Sequence, residues 1–135
     1  AGPCAFIARE AALKVMELAA GQVPALWDST LGFRHGPKSF VRGATDIWVL
    51  GSDEPQAALY DADLVAELRG QFPASRVTHV AAAGLRWGFV LQVVLAQVLA
   101  VVWSDRLGLP VDDPFAGQGT LTRGGSGVRL HPVVP

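Results

Sequence analysis

The sequence predicts an α/β domain of three layers, αβα, built around a mostly parallel sheet. Two observations carry this. Short runs rich in apolar and β-branched residues alternate with long helical stretches, the order that buries a parallel sheet between helices. At 135 residues the chain has room for one such domain, large enough to bury about two-thirds of its unfolded surface.

Taken in order, residues 6–20 hold strong helix formers and end at Gly21, a residue suited to closing a helix. The apolar run 23–27 reads as a short buried strand. Residues 29–43 are loop-like, punctuated by Gly32, Gly36 and Pro37. Asp46-Ile47-Trp48-Val49-Leu50 reads as the next strand and stops at Gly51. Ser52-Asp53-Glu54-Pro55 then opens a helix reaching Arg69, with Leu64 and Leu68 one turn apart. Residues 76–82 read as a third strand. Residues 85–107 read as a long helix, apolar nearly all round and stopped by Gly108 and Pro110. The tail is rich in Gly, Pro and Asp, and 127–131 is a candidate for a last short strand. Ala1-Gly2-Pro3 reads as a turn running straight into the first helix, so the fold is expected to have a further strand before it.

Composition narrows the classes of function. Half of the residues are hydrophobic and only 17% are charged, low for a free-standing domain. Apolar surface left over is expected to be covered by a second subunit or by the rest of a longer chain. A net charge of −1 supplies no field for nucleic acid or an acidic membrane surface. The one cysteine, Cys4, excludes an internal disulfide, points to a reducing cytoplasm, and is expected to be a packing residue. The candidate for a membrane span, residues 88–103, is interrupted by Gln92 and Gln97 and is shorter than the ~20 residues a bilayer needs. It reads as a helix buried in protein.

Two constellations could carry chemistry. With about 100° of rotation per residue, Glu10, Lys14 and Glu17 fall on one narrow stripe of the first helix, flanked by Ala11, Val15 and Leu18 and by Ala12, Leu13 and Met16. Arg9 stands outside it. The spacing fits a surface Glu-to-Lys pair worth a few tenths of a kcal/mol. It equally fits a carboxylate held in a cleft for proton transfer, because so apolar a helix should be mostly buried. The second is Leu31-Gly32-Phe33-Arg34-His35-Gly36-Pro37-Lys38-Ser39. Here a histidine sits in a stiff turn among Arg34, Lys38 and Arg42, either a solvated basic loop or a device for a phosphorylated ligand.

These residues together resemble a known family. The string from Ala8 through Leu18, then Ser29 and the run from Leu31 to Val41, resembles the C-terminal SIS (sugar isomerase) domain of the tagatose-6-phosphate ketose/aldose isomerase and galactosamine-6-phosphate deaminase group. The Pro37-Lys38-Ser39 continuation distinguishes it from the related domain of glucosamine-6-phosphate synthase. The resemblance implies a flavodoxin-like αβα fold with residues 1–135 as the C-terminal part of one SIS domain, incomplete on its N-terminal side. It implies aldose–ketose isomerisation of a sugar phosphate, with or without loss of ammonia, in a cytoplasmic dimer. A non-catalytic phosphosugar-binding or dimerisation module is the alternative. By the same resemblance Glu17 is the base that moves a proton between sugar carbons, His35 assists ring opening, and Glu10 and Lys14 support them. The family's Ser/Thr-rich phosphate loop has no counterpart here, which leaves Arg34 and Lys38 as phosphate contacts. No metal or organic cofactor is expected. The expected partners are a phosphosugar and a second copy or a preceding SIS domain, with no nucleic acid and no membrane. The long apolar helix is expected to form much of a subunit or domain interface, and this polypeptide alone is expected to have little isomerase activity.

Overall fold

A computed structural model describes residues 3–82, 84, 87–118 and 131–132. Helix α1 spans Pro3–Leu18, strand β1 Asp46–Leu50, α2 Pro55–Gln71, β2 Arg76–Val80 and α3 Gly88–Arg106. Two short 3-10 turns, Gly32–Arg34 and Pro37–Phe40, lie between α1 and β1. Of the candidate strand at 127–131, residues 127–130 lie outside the described residues and His131 is in no strand.

β1 and β2 pair in parallel, with Asp46 opposite Arg76 and Leu50 opposite Val80. Parallel pairing needs a crossover, and α2 supplies it. Glu54 caps α2 by accepting from the Gln56 and Ala57 amides at 3.0 and 2.6 Å, while Pro55 occupies the first turn, where no amide is needed. The buried face of α2 presents Leu64, Val65 and Leu68 to Val49, with Ile47, Val77, Phe33 and Phe72 packed around them. This is the core. Leu68 is 0% exposed, so Leu68→Ala is expected to cost about 2–5 kcal/mol; a urea midpoint unchanged from the parent would show that the core lies elsewhere.

α1 and α3 pack against each other on the other side of the sheet. The buried positions of α3 are Gly88, Gln92, Ala96, Ala100 and Ser104, a stripe repeating every four residues. Its small side chains allow close approach to Cys4, Ile7 and Ala12, which are buried on α1. α1 closes with the Gly21 amide donating to Met16 O at 2.8 Å and the Ala20 amide to Glu17 O at 3.1 Å. This places Ala20 in the left-handed conformation (φ 49°) beside Gly21 (φ 75°).

Three expectations need correction. Residues 23–27 form no strand; Pro24 lacks the amide a sheet ladder needs, and Leu26 and Trp27 are exposed. The guanidinium of Arg9 lies 5.8 Å over the Trp27 ring and holds that segment to α1. The second correction concerns α3, which is buried on one side only. Val90, Leu91, Val94, Val98, Val101 and Val102 are exposed. By length and composition α3 could cross a membrane, with a mean hydropathy of 1.7; here one face is occupied by α1. Third, α1 is not mostly buried, since Phe6, Leu13 and Met16 are exposed.

β1 also has an open edge. Thr45 O accepts from the Arg76 amide and the Gly51 amide donates to Val80 O, so odd-numbered residues of this stretch face β2. In a parallel strand the intervening residues, Asp46, Trp48 and Leu50, aim N–H and C=O the other way. No strand is seated there among the described residues. A cavity of about 520 Å³ runs along this edge, lined by consecutive residues from Ala44 to Leu50 and by Ala8, Ala12 and Leu99.

Candidate functional site

α1 brings Glu10, Lys14 and Glu17 together. Lys14 Nζ donates to Glu17 Oε2 at 2.7 Å and lies 3.8 Å from Glu10 Oε1. The Glu17 carboxylate, followed by Glu10, holds the Lys14 ammonium above the usual lysine range against the opposing effect of burial. The three side chains are half-buried, so the stripe is a partly solvated ion-pair row rather than a sealed one. Glu17 borders a shallow depression formed with Leu18 and the segment 111–115. A carboxylate oriented by a lysine and open to solvent on one side is a group that can exchange a proton with a ligand.

His35 follows the first 3-10 turn, its amide donating to Gly32 O at 3.0 Å, and its side chain is exposed. The turn is tightly made. Phe33 N donates to Ser29 O, Gly32 N to Ser29 Oγ, and Ser39 Oγ to Gly36 O. A Cβ at Gly32 would displace the Asp28 carboxylate and the Ser29 hydroxyl, which lie against it. Among the described residues no hydrogen bond or ion pair joins His35 to Glu17; they stand on separate supports.

The cations assigned to phosphate are otherwise engaged. Arg34 Nε and Lys38 Nζ both bind Glu67 of α2, at 2.8 and 2.6 Å. Their charge is partly neutralised, and their first role is to fasten the histidine turn to α2. Lys38, then Arg34, hold the Glu67 carboxyl below the usual carboxylate range. A lowered carboxylate value means the contact is complete above the ordinary glutamate range and is lost as pH falls through the lowered value. Lys38 and Arg34 side-chain resonances should therefore hold steady from neutrality through the ordinary glutamate range and move only below it. Movement centred within that range would show Glu67 free of the two cations.

No family model matches the chain. It is 38% identical over 141 residues to a D-galactosamine-6-phosphate deaminase, AgaS, of Shewanella sp. (strain ANA-3), covering 98% of this chain and 36% of that protein. It is 40% identical to the D-galactosamine-6-phosphate deaminase AgaS of Escherichia coli, covering 93% of this chain and 37% of that one. Its structure superposes on the crystal structure of tagatose-6-phosphate ketose/aldose isomerase from Escherichia coli with a TM-score of 0.77 and 34% identity, covering 98% of this chain and 38% of that chain. Over nearly its whole length the chain is thus similar to galactosamine-6-phosphate deaminases and to a tagatose-6-phosphate ketose/aldose isomerase. It spans little more than a third of the length of these relatives.

Three polar residues were left unassigned by the sequence. Glu67, near the C-terminal end of α2, fastens the histidine turn; Asp61 and Gln92 organise the C-terminal ends of the strands. Asp61, 1% exposed, accepts from Thr30 Oγ1 at 2.5 Å and from the Ser52 amide at 2.8 Å. Gln92, also buried, donates through Nε2 to Gly51 O at 2.8 Å and Val80 O at 3.1 Å, while its Oε1 has no partner among the described residues. Cys4 Sγ approaches the same Gly51 O at 3.6 Å. Burial pushes the Cys4 thiol up, with Asp61 and Asp53 adding to the effect, which suits a packing residue and not a nucleophile. No grouping of His, Cys, Asp and Glu suited to a metal ion occurs among the described residues.

Proposed function

We propose that the longer protein carrying this chain interconverts the aldose and ketose forms of a phosphorylated hexose, releasing ammonia when the sugar carries an amino group. The observation that carries this is the Glu10–Lys14–Glu17 row on the same chain as the His35 turn. A base for the carbon-bound proton and a group for ring opening are what the reaction requires. Both stand at positions that match the sugar isomerase pattern, and relatives at 38–40% identity are galactosamine-6-phosphate deaminases. Glu17 takes the proton, Lys14 steadies its charge with Glu10 behind it, and His35 opens the ring. On this reading the chain is the C-terminal part of an SIS domain and works in the cytoplasm without a resident cofactor. The exposed row on α3, with Phe6, Leu13 and Met16 of α1, is then covered by a second copy or by another domain of the same protein.

One observation favours a non-catalytic phosphosugar-binding module instead. Glu67 occupies both Arg34 and Lys38, so these cations offer a phosphate only what that carboxylate leaves. The test is incubation of the longer protein with galactosamine 6-phosphate while following ammonia and the ketose product. Saturable binding without either product would favour the module. Turnover by the 135-residue chain alone would mean that it holds the phosphate through its own residues.

A further inference from the structure

Asp61 lies on the buried face of α2, one turn before Leu64 and Val65. A carboxylate there is costly unless its oxygens are bonded. Each oxygen has a partner, and each partner belongs to a different loop. Oδ1 accepts from the hydroxyl of Thr30, just before the turn that carries His35; Oδ2 accepts from the Ser52 amide, just beyond the end of β1. A leucine would fill the same space without tying anything. In parallel α/β sheets, ligands collect beyond the carboxyl ends of the strands, the end at which this carboxylate joins the two loops. We propose that Asp61 is a positioning residue: acting through Thr30, it fixes the histidine turn relative to the end of β1 and so sets how His35 meets the sugar ring. Glu67, six residues further along α2, anchors the far side of the same turn through Arg34 and Lys38. α2 is therefore the frame on which the histidine is mounted.

The proposal rests on the isomerase reading, and its test separates the two. In the longer protein, Thr30→Val removes the hydroxyl donor with little change of shape and leaves the Asp61–Ser52 bond in place. Thr30→Ser keeps the donor. A misplacement of about 1 Å can cost on the order of 100-fold in rate. Thr30→Val is therefore expected to lower kcat on the closed-ring sugar phosphate ~10–100-fold, with KM little changed and an open-chain analogue turned over at nearly the parental rate; Thr30→Ser should restore the closed-ring rate. Equal losses on both substrates, or no loss on either, would overturn the proposal. If the parent turns over no sugar phosphate, the isomerase reading fails, and positioning is judged by NMR on histidine-labelled protein, with the His35 signal identified by its loss in His35→Asn. Thr30→Val should then shift and broaden the His35 ring resonances while sparing the His79 ones; unchanged His35 resonances would overturn it.

Discussion

Glu17→Gln in the longer protein is expected to abolish exchange of the substrate's carbon-bound proton with solvent while leaving sugar-phosphate binding nearly intact. The amide keeps the shape and can still face Lys14 Nζ, now 2.7 Å from Glu17 Oε2, but it has no basic oxygen to take a proton. Loss of a positioned acid or base costs typically ~10²–10⁴-fold in rate. His35→Asn separates the second role, because it should slow the closed ring far more than an open-chain analogue. Proton exchange at the parental rate in Glu17→Gln would make the α1 row a structural ion pair and end the catalytic assignment.

In the 135-residue chain, the amides of Asp46, Trp48 and Leu50 are expected to exchange with solvent orders of magnitude faster than those of Ile47, Val49 and Gly51. The second set points at β2 and the first away from it, and an amide without a partner opens at no cost. In the longer protein both sets are expected to be protected alike. Buried amides are almost always paired, and a strand leading into α1 would arrive alongside β1. Cys4, in the first turn of α1, touches Gly51 just past the end of β1, so such a strand would end there and run parallel to β1, completing a βαβ unit. Equal protection of both sets in the short chain would show that the edge is already covered, by its own residues or by a second copy.

β1 and α2 were legible because local rules decide them: an apolar, β-branched run ending in glycine, and a capping glutamate followed by proline. Residues 23–27 were misread because apolar content outweighed Pro24, whose missing amide rules out a central strand. For α3 the sequence supplied apolar residues in every direction, so hydrophobicity alone did not choose a face. The four-residue repeat of Gly88, Gln92, Ala96, Ala100 and Ser104 was the available signal, and it marks the side against α1. The α1 row was legible from helical spacing alone, although its exposure was not. Asp61 and Glu67 could not be assigned this way, because Thr30 is 31 residues from Asp61, and Arg34 and Lys38 are 33 and 29 residues from Glu67. Only tertiary folding makes such distant residues neighbours.

The buried amide of Gln92 ties the pairing of the two strands to the seating of α3. Its one nitrogen serves Gly51 O and Val80 O together, and these carbonyls lie side by side only when Leu50 stands opposite Val80. Slippage by one residue would separate them by about 3.3 Å along the strands and turn every side chain of one strand to the wrong face. α3 would then meet a single carbonyl, and the Gln92 amide would lose one of the two hydrogen bonds it makes. Strand register and helix docking are thereby coupled: α3 seats fully only on β1 and β2 paired with Leu50 opposite Val80, so a change that shifts the strands should also loosen the helix.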